Sequence, residues 1–131
     1  MWRHGFIMLL MLGLYACAGI SDTAYKLDST MFAYERAMRW GDYDVAYSAH
    51  VNEKGPLSSE ERKRLNRFRV TGYTAAQAKF VGDTKHAIQL VELRYYNEEN
   101  VRERILNVTV AWEYDDAGNR WQITSPFPSF K

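Results

Sequence analysis

The hydrophobic period of this chain changes near Arg67, from about 3.6 residues to about 2, and that change limits the fold to helices first and strands second. Before it, Met31, Tyr34, Ala37 and Met38 recur at helical spacing, with Trp40 at the end of the run and Glu35, Arg36 and Arg39 on the other side. Asp28 or Ser29 can cap this helix, which is expected to run to about Trp40. Gly41-Asp42 interrupts it, Asp42 offers a second cap, and Tyr43, Val45, Ala46 and Ala49 support a short second helix ending near His50. Asn52-Glu53-Lys54-Gly55-Pro56 reads as a turn. Ser58-Ser59-Glu60-Glu61 has the spacing of a capping box, in which the serine oxygen takes the amide three residues on and Glu61 reaches back to the cap amide. A third helix is expected from there to about Asn66.

Beyond Arg67 the alternation is that of half-buried strands. Phe68, Val70, Gly72, Thr74, Ala76, Ala78 and Phe80 predict the inward face of one long strand. A second strand, from about Thr84 to Tyr96, begins with Ile88 and Leu90 in phase and continues with Val91, Leu93 and Tyr95, a slip that predicts a β-bulge. Leu106, Val108, Val110, Trp112 and Tyr114 give the third strand a uniformly apolar face. Asp115-Asp116-Ala117-Gly118-Asn119 turns the chain into a fourth, with Trp121 and Ile123 inward and with Gly118 expected in the left-handed conformation. Pro126 and Pro128 end the ladder, since neither can donate a backbone hydrogen bond.

The expected fold class is therefore α+β, with N-terminal helices packed on a curved, cone-like antiparallel sheet of about four strands. With Gly41-Asp42-Tyr43-Asp44-Val45-Ala46 joining the first helices and Trp121-Gln122-Ile123-Thr124-Ser125 in the last strand, this order resembles the nuclear-transport-factor-2-like superfamily over about residues 28–127. A cystatin-like or lipocalin-fragment arrangement is the alternative. Members of that superfamily include enzymes, ligand binders and interaction modules, so the resemblance implies a fold and leaves the activity open.

The N-terminal segment carries a second resemblance. Met1-Trp2-Arg3-His4 is short and positive, and the apolar run that follows, from about Phe6 to Ala18, has the length and flanks of a signal-peptide core. A membrane-spanning helix needs about 20 apolar residues, and Ser21, Asp22, Lys26 and Asp28 arrive too soon. Leu14-Tyr15-Ala16-Cys17 resembles the lipobox of bacterial lipoproteins, with Tyr15 in place of the usual small residue. The resemblance implies lipidation of Cys17 by diacylglycerol, cleavage before it and acylation of the new amino group, commonly by palmitate. Ala18 in the following position implies sorting to the outer membrane, facing the periplasm. Ala16-Cys17-Ala18 also fits ordinary secretory cleavage, which would leave a chain beginning at Gly19. The organisation expected is a signal peptide over 1–16, a lipidated tether over 17–27 and a single α+β domain over 28–131. Cys17 is the one cysteine of the chain, so its acylation leaves no thiol for a disulfide or a thiolate metal site. Loss of Arg3 with the signal peptide lowers Lys+Arg from 17 to 16, against 16 Asp+Glu, and a neutral chain has no strong field to gather nucleic acid.

Candidate chemistry is sparse. Tyr34, Trp40, Tyr47, Tyr95, Trp112 and Trp121 could line a pocket under the helix, although the same rings would fill a core, which is the reading adopted. Enzymes of the resembled superfamily use a carboxylate in an apolar pocket as general base; Glu92, at the phase slip, and Glu113 are the acidic residues considered, and neither has an identifiable partner. No catalytic residue is assigned. His50 and His86 lack a third ligand at useful spacing and are expected in solvated loops or strand ends, so no metal and no cofactor is expected. Arg62-Lys63-Arg64, with Arg67 and Arg69, is either a solvated helix face or a patch for anionic lipid. The function expected is that of a membrane-anchored periplasmic lipoprotein with a non-catalytic protein- or ligand-binding domain. Its partners would be the membrane, through the lipid, and a periplasmic or envelope protein. A small enzyme using the same pocket is the alternative.

Overall fold

The computed structural model describes residues 18–131, with side chains from residue 22 onward; the lipobox Leu14-Tyr15-Ala16-Cys17 lies outside the described residues. Three helices precede the strands among those residues: α1 (Ala18–Trp40), α2 (Tyr43–Ser48) and α3 (Ser59–Leu65). The strands are β1 (Phe68–Ala75), β2 (Lys79–Phe80), β3 (His86–Asn97), β4 (Glu103–Asp115) and β5 (Arg120–Ile123). The sheet is antiparallel in the order β1-β3-β4-β5, with the two-residue β2 also paired to β3, and it curls into a half-barrel. The fold is thus α+β, with the helices against a strongly curved sheet, as the change of period predicts.

α1 begins earlier than its polar first letters suggest. Segment 18–27, expected as a tether, is helical, because Leu27, Met31, Tyr34 and Met38 form one continuous inward row at spacings of three and four. Leu27 is buried, and the Trp121 indole N–H donates to the Thr23 carbonyl at 3.1 Å, tying this segment to β5. The helix ends where Gly41 adopts φ +74°, and the Asp42 amide donates back to the Ala37 carbonyl at 2.8 Å, the pattern of a Schellman cap. Asp42 precedes α2 without a side-chain capping bond, and Val45 points to solvent instead of supporting that helix. At α3 the Ser58 hydroxyl accepts from the Glu61 amide at 3.1 Å as expected, but the Glu61 carboxylate turns to Arg64 at 2.6 Å instead of reaching back.

The bulge is real and lies in a different strand from the one expected. β3 and β4 pair in unbroken register from His86↔Glu113 to Tyr96↔Glu103, and Ala87, Gln89, Val91, Leu93 and Tyr95 all face inward. Ile88 and Leu90 therefore sit on the outer face, where their apolar side chains imitate a phase slip. The irregularity is in β1, between Val70↔Tyr95 and Gly72↔Arg94, with Thr71 as the extra residue. It turns Tyr73 inward and Thr74 outward, reversing the expected alternation, and it bends the edge strand around the helices. A side chain at Gly72 would meet the Arg94 Cβ at 3.3 Å, so glycine allows the close strand approach there. β1 ends at Ala75, and Phe80, expected inward on the same long strand, belongs to β2 and is half exposed. In β4 and β5 the even and odd faces fall as the sequence predicts, with Val110, Trp112, Trp121 and Ile123 buried.

Candidate functional site

The concave side of the sheet is filled by aromatic rings. Tyr34, on the inward row of α1, meets the Trp112 ring edge-on at 5.9 Å and 88°, Tyr73 at 6.4 Å and His50 at 5.5 Å. A second group forms around Phe130, which stacks on Phe68 at 5.5 Å and meets Tyr95 at 4.9 Å and Tyr43 at 6.0 Å. Phe127 bridges the two, lying 5.2 Å from His50, 5.4 Å from Tyr47 and 6.3 Å from Phe130. Trp121 packs with Tyr114 at 5.4 Å near the N-terminal part of α1. Of the six rings named as pocket lining, Tyr34, Tyr95, Trp112 and Trp121 are buried and Tyr47 is half-buried in this packing. Trp40 is a correction: it is 75% exposed on the outer side of α1, because at about 100° per residue it points about 160° away from Met38 of the buried row.

The C-terminal tail is the part of this core that sequence reading missed. Pro126 and Pro128 do end the ladder, but the intervening and following phenylalanines fold back into the half-barrel. The Phe127 amide donates to the Glu53 carboxylate at 3.0 Å, Arg64 donates to the Phe130 carbonyl at 3.0 Å, and the Lys131 amide donates to the Tyr95 hydroxyl at 3.3 Å. The alternation of proline and phenylalanine was the available signal. Phe130→Ala is expected to cost about 3 kcal/mol, since it empties a buried aromatic site. A urea melt that shows less than about 1 kcal/mol would mean that the tail is not part of the cooperative core.

His50 is the second departure. Expected at a solvated position, it is only 4% exposed, and its backbone bridges to Ile123 of β5. Its Nδ1 lies 2.8 Å from the Ser125 carbonyl and its Nε2 lies 2.8 Å from the Tyr34 hydroxyl. A carbonyl can only accept, so Nδ1 carries the proton, and Nε2 accepts from the tyrosine. Burial lowers the His50 pKa below its ordinary value, with partial opposition from the Ser125 carbonyl and the Glu53 charge, and burial raises that of Tyr34. Both groups are neutral in the fold. The unfolded chain therefore binds a proton on His50 more readily, so this contribution to stability is complete above about pH 6.5 and is lost as the pH falls through the lowered pKa. His86 acts in the opposite sense: its bond to Asp83 at 2.9 Å raises its pKa, giving stability that is present below about pH 6.5 and lost as the pH rises. In urea melts from pH 7.5 to 5, His50→Gln is expected to flatten the loss of stability on acidification, with His86 common to both proteins. Equal pH slopes for wild type and variant would contradict the buried neutral histidine.

The carboxylates considered for catalysis do not enter this core. Glu92 faces outward and accepts from Arg94 at 3.2 Å; Glu113 lies on the polar side of β4, 3.8 Å from His86. Glu53, half-buried, does touch the aromatic packing, accepting from the Phe127 amide and from the Tyr47 hydroxyl at 3.3 Å. Among the described residues one open groove lies on the outer sheet face around Thr74, Leu90, Glu92 and Thr109, and another between α1 and Ala76–Ala78. None of the six candidate aromatics lines either. Among the described residues there is no group of three or more His, Cys, Asp or Glu that could hold a metal ion.

The basic run is largely neutralised on the surface. Arg62 meets Asp44 at 3.0 Å, Arg64 meets Glu61, Arg67 meets Glu99 at 3.4 Å and Arg69 meets Glu98 at 2.6 Å. The hairpin after β4 uses its residues differently from the expectation: Asn119, at φ +53°, takes the left-handed position. Gly118 supplies room, since a Cβ there would lie 2.6 Å from the Asp115 carboxylate. Asn119 also accepts from the Tyr114 hydroxyl and from Lys26 of α1 at 3.3 Å. No helix among the described residues is long and apolar enough to cross a membrane. No protein-family model, no curated protein and no solved structure matches the chain. Fold and site together describe a small α+β domain whose concave face is occupied by its own aromatic residues.

Proposed function

We propose that the chain is a lipoprotein of the bacterial cell envelope, anchored through Cys17 to the outer membrane and facing the periplasm. Its domain, of the nuclear-transport-factor-2-like kind, is a non-catalytic module that meets a protein or small apolar partner on its outer surface. The anchoring reading rests on the apolar run that ends in Leu14-Tyr15-Ala16-Cys17, directly before α1. The observation that carries the binding reading is the closed aromatic packing. Phe127 and Phe130 occupy the half-barrel together with Tyr34, Tyr95 and Trp112, while Ile88, Leu90 and Ile105 are presented on the outer sheet face. A general base needs a titratable group in reach of a substrate, and the buried histidine here spends both nitrogens on Tyr34 and Ser125.

The experiment is expression of the full chain in a diderm bacterium, followed by membrane separation and washes with high salt and alkaline carbonate. The protein is expected to stay with outer membranes until detergent is added, because several acyl chains at about 0.8 kcal/mol per buried CH₂ hold a protein essentially permanently. Recovery in the soluble periplasmic fraction would overturn the proposal.

A further inference from the structure

α1 buries one face against the sheet and carries three aromatic rings on the side turned away from it. Leu27, Tyr34, Ala37 and Met38 pack inward, whereas Tyr25, Phe32 and Trp40 are 72%, 60% and 75% exposed. At about 100° per residue these three rings fall within an arc of about 80° on the helix side opposite the buried row. Ser29 and Arg36 lie between them on the same exposed side. The stripe is about 22 Å long, at 1.5 Å per residue from Tyr25 to Trp40.

We infer that this outer face of α1 rests on the lipid surface, with the three rings at the level of the headgroups and the Arg36 guanidinium among the phosphates. The inference builds on the membrane anchoring proposed above. Residues 1–17 lie outside the described part, and their apolar run from Phe6 ends at the first residue of α1. A chain held in the bilayer at that point delivers the helix to the membrane surface, with Tyr25 only about 12 Å of helix beyond Cys17. The residue types fit that position: tryptophan and tyrosine favour the interface between hydrocarbon and water, and a helix with one such face lies in its plane. The spacing also decides against a second copy of the chain as the occupant. A helix seam needs an apolar contact every three to four residues, whereas these rings are seven and eight apart with polar residues between them.

Acylation of Cys17 leaves an introduced cysteine as the one thiol free for labelling, so a nitroxide can report depth. Ser29→Cys places it within the stripe without removing a ring, and Thr109→Cys places it on the outer sheet face as a control. Each labelled full-length lipoprotein is reconstituted into vesicles of phosphatidylethanolamine and phosphatidylglycerol, and collision with oxygen and with a water-soluble nickel chelate is measured. The Ser29→Cys label is expected to favour oxygen, the Thr109→Cys label nickel. Adding Tyr25→Ser, Phe32→Ser and Trp40→Ser, all surface changes, should bring the Ser29→Cys label to the control value while the protein stays in the vesicles. Equal nickel access at both sites in a vesicle-bound protein overturns the lipid contact and leaves the anchoring intact. Failure of the chain to enter vesicles, with a free thiol at Cys17, overturns the anchoring reading and this inference with it. Dipolar broadening between Ser29→Cys labels on separate molecules identifies a second copy as the occupant and overturns the inference also.

Discussion

Trp112→Ala is expected to destabilise the domain by about 3–5 kcal/mol, a large part of the roughly 5–15 kcal/mol that holds a domain together. Trp112 is 1% exposed, on the inward face of β4 against Tyr34, and removing its ring leaves a void in the centre of the aromatic packing. Its indole N–H is buried with no hydrogen-bond partner, so Trp112→Phe removes an unsatisfied donor along with some volume and should cost far less than alanine. Thr109→Ala, exposed on the opposite face of the same strand, should change stability by less than about 1 kcal/mol. Urea melts of the three variants give the comparison, and equal losses at Trp112 and Thr109 would mean that the facing of β4 is wrong.

Cys17→Ser is expected to abolish stable association with the outer membrane almost completely. Serine cannot form the thioether, so the chain remains uncleaved at this point or is processed elsewhere, without the acyl chains in either case. One acyl chain gives only marginal binding and several give a permanent anchor, so the change is close to all or none. Outer-membrane recovery of the Cys17→Ser protein equal to wild type after alkaline washing would contradict lipidation.

How much of this fold can be read from the letters depends on where burial is one-sided. β4 and β5 are legible because Leu106, Val108, Val110, Trp112, Trp121 and Ile123 alternate with polar residues. In β3 the outer face carries Ile88 and Leu90 as well, so both phases look apolar and the bulge is placed there instead of at Thr71. The first turns of α1 read as a tether because Ser21, Asp22, Thr23 and Lys26 are polar; their helical state depends on Leu27 and on the bond from Trp121, 98 residues away. His50 and the tail share this difficulty. A histidine between a short helix and a turn has no local signature of burial, and its partners Tyr34 and Ser125 come from the two ends of the described chain. Phe127 and Phe130 flank Pro128, and proline excludes a strand without saying that the rings return to the core. Of the six rings offered as pocket lining, Tyr34, Tyr95, Trp112 and Trp121 are buried and Tyr47 is half-buried, and none lines either groove. Trp40 is exposed because it stands only two residues past Met38, which at about 100° per residue puts it on the opposite side of α1.

The most direct test of the proposed anchoring is the mass of the mature protein extracted from membranes with detergent. A mass beginning at Cys17 and increased by a diacylglyceryl group and an amide-linked acyl chain is the predicted result, with the lipid found on the N-terminal peptide after proteolysis. A mature chain beginning at Gly19 and carrying no lipid would contradict it.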